Sequence, residues 1–323
     1  MIGINSHSNE ILQIISESPG NIQPVALQKL CSYIESRISS EGGFMNRADR
    51  PDIYYTLFGL SCAYVLNLNI SVEKTAAWLN RFAIPDLTLV NLSSLVKCFS
   101  VLSLMSSQKL PGGKAEFLGL SKLSNSSNFL NFSELSDSFT TALSRFRTSE
   151  GGFSYTGTGP GFPYAAFLAM NIYQDLEKPI PEPHKLIEGL ERCQQSDGRF
   201  VHPGSSSTGL LLSTVAGLLT LRQLTGSVNS SALNWIKSQF TTSGGFKADP
   251  GSELPDMLST AVALFALKVC GTTMKPFRDN AKRFVEDHWL NNGSFSATLL
   301  DEIGDCEYTY YGLLSLGALN GHD

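Results

Sequence analysis

A short turn recurs along this chain and constrains its fold more than any other feature. Two glycines or a near equivalent precede a phenylalanine, and an apolar stretch of helical character follows about ten residues later. Gly42-Gly43-Phe44 leads to an apolar run from Asp52, Gly151-Gly152-Phe153 to one from Pro163, and Gly198-Arg199-Phe200 to one from Ser207. Gly244-Gly245-Phe246 leads to a run from Asp256, and Gly293-Ser294-Phe295 to one from Asp305. The last four turn phenylalanines are spaced 47, 46 and 49 residues apart, whereas Phe44 and Phe153 are 109 apart. That gap holds a degenerate unit, Leu89 to Leu104, followed by a Ser-, Asn- and Gly-rich insertion, 106–137, read as a surface excursion. Six units result.

Each unit reads as a pair of helices. Glycines supply the positive φ of a tight turn, and the phenylalanine packs that turn back onto the core. More polar stretches around Ala76–Phe82, Ser231–Gln239 and Phe277–Leu290 alternate with the apolar runs. The apolar helices are expected to form an inner ring and the amphipathic ones an outer ring, with Trp78, Trp235 and Trp289 packing between layers. No period-two alternation supports a sheet. An open solenoid would need end units with a polar outer face, but the first and last inner helices are among the most aromatic. The expectation is an all-α fold, an (α/α)6 toroid of six helix-pair repeats around an apolar central cavity. It would be a single domain over 1–323, with 1–25 as an N-terminal segment outside the repeats.

Composition agrees and excludes some partners. Charged residues make up 16%, against roughly 25% in ordinary soluble domains, and apolar residues 42%, so helices must be buried on more than one side. A net charge of −5 with no basic block excludes an electrostatic nucleic-acid footprint. Six scattered cysteines without a CxxC pair, and no charged-then-apolar N-terminus, predict a reduced, cytoplasmic protein. No apolar run is read as a membrane span of roughly 20 residues, and peripheral membrane contact stays open.

The segments SEGGFMNRADRPDIYYTLFGL, SGGFKADPGSELPDMLSTAVALFAL and DCEYTYYGLLSLGAL resemble repeats of the protein prenyltransferase β subunits and of the squalene-hopene and diterpene class II cyclases. The likeness spans the chain apart from 1–25 and the insertion, and implies the toroid. Zinc prenyltransferases carry an Asp-x-Cys and a later His as ligands. Here the cysteine position falls on Leu258 and the histidine position on Tyr308, so no zinc is expected. Class II cyclases protonate an alkene with the central acid of Asp-x-Asp-Asp-Thr. That position is Leu258 in the fifth repeat but Glu307 in the sixth, which reads Asp305-Cys306-Glu307-Tyr308-Thr309.

Asp52, Asp256 and Asp305 fall in one column, just before their apolar helices, where an aspartate serves as a helix N-cap. Pro163 and Leu210 are read as occupying that column in units three and four. In a ring closed between units six and one, the three aspartates and Glu307 would gather at one mouth, and such crowding should raise at least one carboxyl pKa. Glu307 also has a plain reading, as first-turn complement to the helix dipole. Tyr54, Tyr55, Phe58, Tyr164, Phe167, Tyr308, Tyr310 and Tyr311 lie on inner helices, and about half are expected to line the cavity, where π faces stabilise cations. Arg47 and Arg50 match the spacing of a diphosphate-binding pair. Cys306 is read as a small buried thiol and His202 as structural or solvated.

The first functional expectation is a zinc-independent, isoprenoid-handling enzyme running carbocation chemistry on a polyprenyl chain. Acid-initiated cyclisation or isomerisation is preferred, with Glu307 as donor, Asp305 and Asp256 tuning it, and Asp52 completing the wall. The second is a transferase of the prenyltransferase β type, using a prenyl diphosphate with Mg2+ and a second subunit. The third is a non-catalytic toroid that binds a lipid or a protein.

Overall fold

The computed structural model describes residues 6–108, 132–202 and 210–320. The described residues form thirteen α-helices. In chain order these are α1 (His7–Ile15), α2 (Pro24–Ser36), α3 (Ile53–Val65), α4 (Val72–Leu79), α5 (Leu89–Gln108), α6 (Phe132–Ser144), α7 (Pro163–Asp175), α8 (Pro183–Cys193), α9 (Leu211–Thr225), α10 (Ser230–Ser238), α11 (Met257–Val269), α12 (Arg278–Asp287) and α13 (Cys306–Leu319). Among these residues, β pairing is limited to isolated bridges.

The ring closes. Helix α3 packs on α5, and the chain of contacts continues through α7, α9 and α11 to α13, which packs back on α3. Each inner helix has a return helix on its outer side, as α4 on α5, α8 on α9 and α12 on α13. The six inner helices therefore run parallel, with their N-termini at one mouth of the barrel.

A repeated local grammar sets each inner helix at its angle. Gly42 has φ +112°, and an isolated bridge from Ile38 to Phe44 closes the turn. Phe44 is fully buried, which contributes roughly 2 kcal/mol, and its N–H donates to Thr56 Oγ1 at 2.9 Å. The Thr56 hydroxyl donates in turn to the Asp52 carbonyl at 2.6 Å. The same double link joins Phe246, Thr260 and Asp256, and also Phe295, Thr309 and Asp305. Gly59 completes the unit, since a Cβ there would lie 2.1 Å from the Phe44 ring. The threonine four residues after the cap thus ties turn to helix, while in units one, four and six a glycine seven after the cap, Gly59, Gly217 or Gly312, seats the phenylalanine.

Three sequence expectations change. The N-cap column of unit three is Phe162, one residue before Pro163, because Phe162 N–H bonds back to the Phe153 carbonyl as Asp52 does to Phe44. The expected insertion is shorter than 106–137: α5 runs to Gln108 and α6 starts at Phe132, so an outer helix occupies its C-terminal end, and the intervening residues lie outside those described. The N-terminal segment is part of the barrel. Helix α1, capped by Ser6, packs on α3, α7, α11 and α13 and plugs the end where the inner helices terminate. Its Glu10 takes a two-pronged bond from Arg222 on α9, at 2.8 and 3.0 Å. Gly317 leaves room for it, since a Cβ there would stand 2.1 Å from the Ile14 carbonyl oxygen.

One described helix is also long and apolar enough to cross a bilayer, contrary to the sequence reading. Leu89–Ser106 of α5 has a mean hydropathy of 1.5, but 78% of it is buried as a member of the inner ring.

Candidate functional site at the mouth and cavity of the barrel

The inner ring encloses a cavity of about 150 Å³, counted as space open to the centre of a water molecule. Of the eight inner-helix aromatics singled out in the sequence, Tyr54, Phe58, Tyr164, Phe167, Tyr310 and Tyr311 line it, joined by Phe265 of α11. Tyr55 and Tyr308 do not. Tyr55 stands edge-on to Tyr54 with ring centroids 5.8 Å apart, and Tyr308 lies under the Arg47 guanidinium, 5.5 Å from its centroid. The lining aromatics touch one another, with Phe58 5.1 and 5.6 Å from Tyr310 and Tyr311, so π faces curve around one side of the space.

The acids of the mouth separate into two kinds. Asp52, Asp256 and Asp305 are N-caps, accepting from the N–H groups of Tyr55, Ser259 and Tyr308 at 3.2, 2.8 and 2.8 Å. The plain reading of the column is therefore what all three do. Burial pushes the Asp256 carboxyl upward against those N–H bonds. Asp305, 2% exposed, also accepts from Arg47 Nε at 2.6 Å, and Arg47 Nη2 reaches Asp301 at 2.8 Å.

Glu307 is different. It sits on the first turn of α13, 8% exposed, and its Oε1 accepts from the Tyr54 hydroxyl at 2.5 Å. Burial pushes its carboxyl up to about 7; neighbouring Asp305 adds to the rise, while the Tyr54 hydrogen bond and the Arg47 charge oppose it. A raised pKa was expected, but carboxylate crowding is not its main cause. Burial likewise holds the Tyr54 phenol well above its ordinary range, reinforced by the Glu307 charge. Tyr54 lines the cavity, and Glu307 stands behind it.

Arg47 and Arg50 differ in their surroundings. Arg47 is consumed by two carboxylates, leaving local charge negative, and Arg50 is an exposed residue without a side-chain partner. Cys306 is a buried thiol pushed up to about 12 by burial, and all six cysteines are free. His202 packs edge-on against Phe162 at 4.7 Å. Among the described residues, no group of three or more His, Cys, Asp or Glu side chains could hold a metal ion.

Polar residues that sequence reasoning missed stand deeper in the barrel. Lys97 of α5 lines the cavity, donating to Ser8 of the plug at 2.8 Å with its ammonium 3.7 Å from the fully buried Asp175 of α7. Ser93 and Ser94 face the same space. The signal was a lysine in the apolar run LVNLSSLVKCFSVLSL, with serines three and four residues before it.

A family model described as "Prenyltransferase alpha-alpha toroid domain" matches residues 7–90, 118–208 and 205–323. The chain belongs to this family. The match begins within α1 and reaches into the expected insertion, so the likeness is wider than the repeats alone suggested. No curated protein matches. Among solved structures, a variant of the type II terpene cyclase MstE from Scytonema, in complex with merosterolic acid A, is similar at TM-score 0.56 and 11% identity, covering 96% of this chain and 97% of that one. Another variant of that enzyme, in complex with geranylgeranyl dihydroxybenzoate, gives 0.55 and 12%, with coverage of 96% and 97%. A protein from Actinoplanes gives 0.54 and 13%, covering 91% and 98%. At these identities the likeness is one of fold.

Proposed function

We propose that this toroid is an isoprenoid-handling enzyme that starts carbocation chemistry by protonating an alkene, and that the Glu307–Tyr54 pair delivers the proton. The observation that carries the reading is a buried carboxyl bonded to a phenol whose residue lines an aromatic cavity. The family, and the terpene ligands bound by the type II cyclases of the same fold, support the substrate class. No metal is needed for the step.

The chemistry follows from which partner holds the proton. With Glu307 ionised, the phenol donates to the carboxylate and presents no proton to the cavity. Once Glu307 is protonated it can donate to the Tyr54 oxygen, freeing the phenol O–H to turn toward the bound chain. Proton transfer to the alkene then forms a C–H bond and leaves a cation at the neighbouring carbon, while the carboxyl proton moves to the phenol oxygen. Tyr54, Phe58, Tyr164 and Tyr311 offer π faces to the cation. Loss of a proton from the final cation back through the pair restores the acid, giving net cyclisation or isomerisation. Asp305 positions the pair through the first turn of α13, and Arg47 Nε holds the buried Asp305 side chain in place at 2.6 Å.

The transferase reading is weaker, because a prenyl diphosphate needs cations and Arg47 is already neutralised. The non-catalytic reading anticipated a cavity blocked by aromatic side chains, whereas these rings surround open space. The test is turnover of a panel of polyprenyl substrates by the purified protein and by Glu307→Gln. Loss of turnover in a variant that still melts cooperatively is expected, and wild-type activity in the variant would sink the assignment.

A further inference from the structure

The cavity has a second polar feature that proton delivery does not use. On α5, Ser93 and Ser94 are 2% and 3% exposed and line the cavity. Lys97 stands one turn further along the same face. Hydroxyls that face a cavity can each hydrogen-bond an occupant, a gain of about 0.5–1.5 kcal/mol apiece. Of the three ammonium hydrogens of Lys97, one is taken by Ser8 and another is oriented by Asp175 at 3.7 Å. The remaining donor has no protein acceptor assigned.

We infer that Ser93, Ser94 and Lys97 form a subsite for a hydrogen-bond-accepting oxygen group on the substrate, a carbonyl or carboxylate, held at the plugged end while the alkene to be protonated lies beside Tyr54. The inference rests on the reading of the cavity as an isoprenoid site. The spacing fits a chain with separated functions. Counted from the N-caps of their helices, Lys97 lies seven residues deeper than Glu307, or about 10 Å at the helical rise. A diphosphate is excluded as the occupant, since one lysine already facing a carboxylate cannot compensate several buried negative charges. A carbonyl or single carboxylate asks for no more than the donors present. The substrate would thus be an oxygenated isoprenoid, entering with its oxygenated end first.

The test is binding rather than turnover, measured by calorimetry with farnesoic acid, its methyl ester and farnesene. Wild-type protein should bind the acid and the ester about tenfold or more tighter than the hydrocarbon, the gain of one charge-assisted hydrogen bond. Lys97→Met should erase that preference. Because Lys97→Met also strands Asp175, the double change Ser93→Ala with Ser94→Ala provides a second arm that keeps the ion pair, and it should reduce the preference severalfold. Equal binding of all three probes by the wild type, or an undiminished preference in both variants, would overturn the subsite and leave the proton-delivery reading standing. Failure of every probe to bind would overturn both.

Discussion

The two ends of the barrel bury charge in opposite ways. At the mouth, where the six parallel inner helices begin, half-buried Asp52 and Asp256 and buried Asp305 cap helices, and buried Glu307 sits on a first turn. At the plugged end the charges pointing at the helix termini are cations, since Lys268 donates to the Asn320 carbonyl and Arg278 to the Leu319 carbonyl. Arg222, on the last turn of α9, grips the plug through Glu10. A ring of parallel helices aligns its dipoles, which favours acids at the mouth and cations at the plugged end; the carboxylates that do lie at the plugged end, Glu10 and Asp175, face the cations Arg222 and Lys97. Within this common bias, hydrogen bonding decides which group can exchange a proton. The capping aspartates accept backbone N–H bonds, whereas Glu307 has a single phenol and deep burial, and its carboxyl rises to about 7.

If that contrast is correct, the largest effect comes from removing the phenol. Tyr54→Phe keeps the ring in the cavity wall and deletes only the hydroxyl, so turnover should fall by about a hundredfold or more, with binding of an isoprenoid chain unchanged by calorimetry. Activity near wild type would show that Glu307 reaches the substrate without it. Next in size is Arg47→Met, which strips the cation from buried Asp305. The pair is part-exposed, so a loss of about 2 kcal/mol is expected in urea unfolding. Because Arg47 lowers the Glu307 pKa, its removal should also carry the pH–rate profile to higher pH. At the opposite end, Gly317→Ala drives a methyl into the Ile14 carbonyl and should cost about 1–3 kcal/mol by loosening the plug, with little change at the mouth.

The smallest effects are on stability against pH, and the two ends should give opposite slopes. Glu307 has a folded pKa above its ordinary 4.5, so the folded state binds more protons and stability falls as pH rises from about 4.5 to about 7. His7 on the plug is fully buried, and burial lowers its pKa from 6.5 to about 3. There the unfolded state binds the extra proton, so stability falls as pH drops from about 6.5 toward 3. Melting temperatures of Glu307→Gln and His7→Gln across that range should each lose one slope and keep the other.

Much of the fold was legible because its determinants are local. The turn phenylalanine, the aspartate cap, the threonine four residues on and the glycine seven on recur in sequence, and all four meet within one unit. Closure between units six and one was also foreseeable from their shared aromatics. The plug was not, since α1 carries no repeat signature and its partners Arg222 and Gly317 are about 200 and 300 residues away. The site was half legible. Glu307 stood out as an acid in the proton-donor column, but its pairing with Tyr54 spans 253 residues across the ring seam, and no spacing rule reports such a contact. Arg47 looked like an anion binder because Asp301 and Asp305, which consume it, lie on the far side of the same seam. Lys97 escaped notice because its unit lacks the turn that marks the others.

The most direct test of the central claim is to run the reaction in heavy water and weigh the product. A chain protonated by a solvent-exchanged Glu307–Tyr54 pair should gain one deuterium per turnover from the initiating step, and Glu307→Gln and Tyr54→Phe should slow product formation about a hundredfold or more. Product formed by the wild type without that deuterium would mean the reaction does not begin with a proton from this pair.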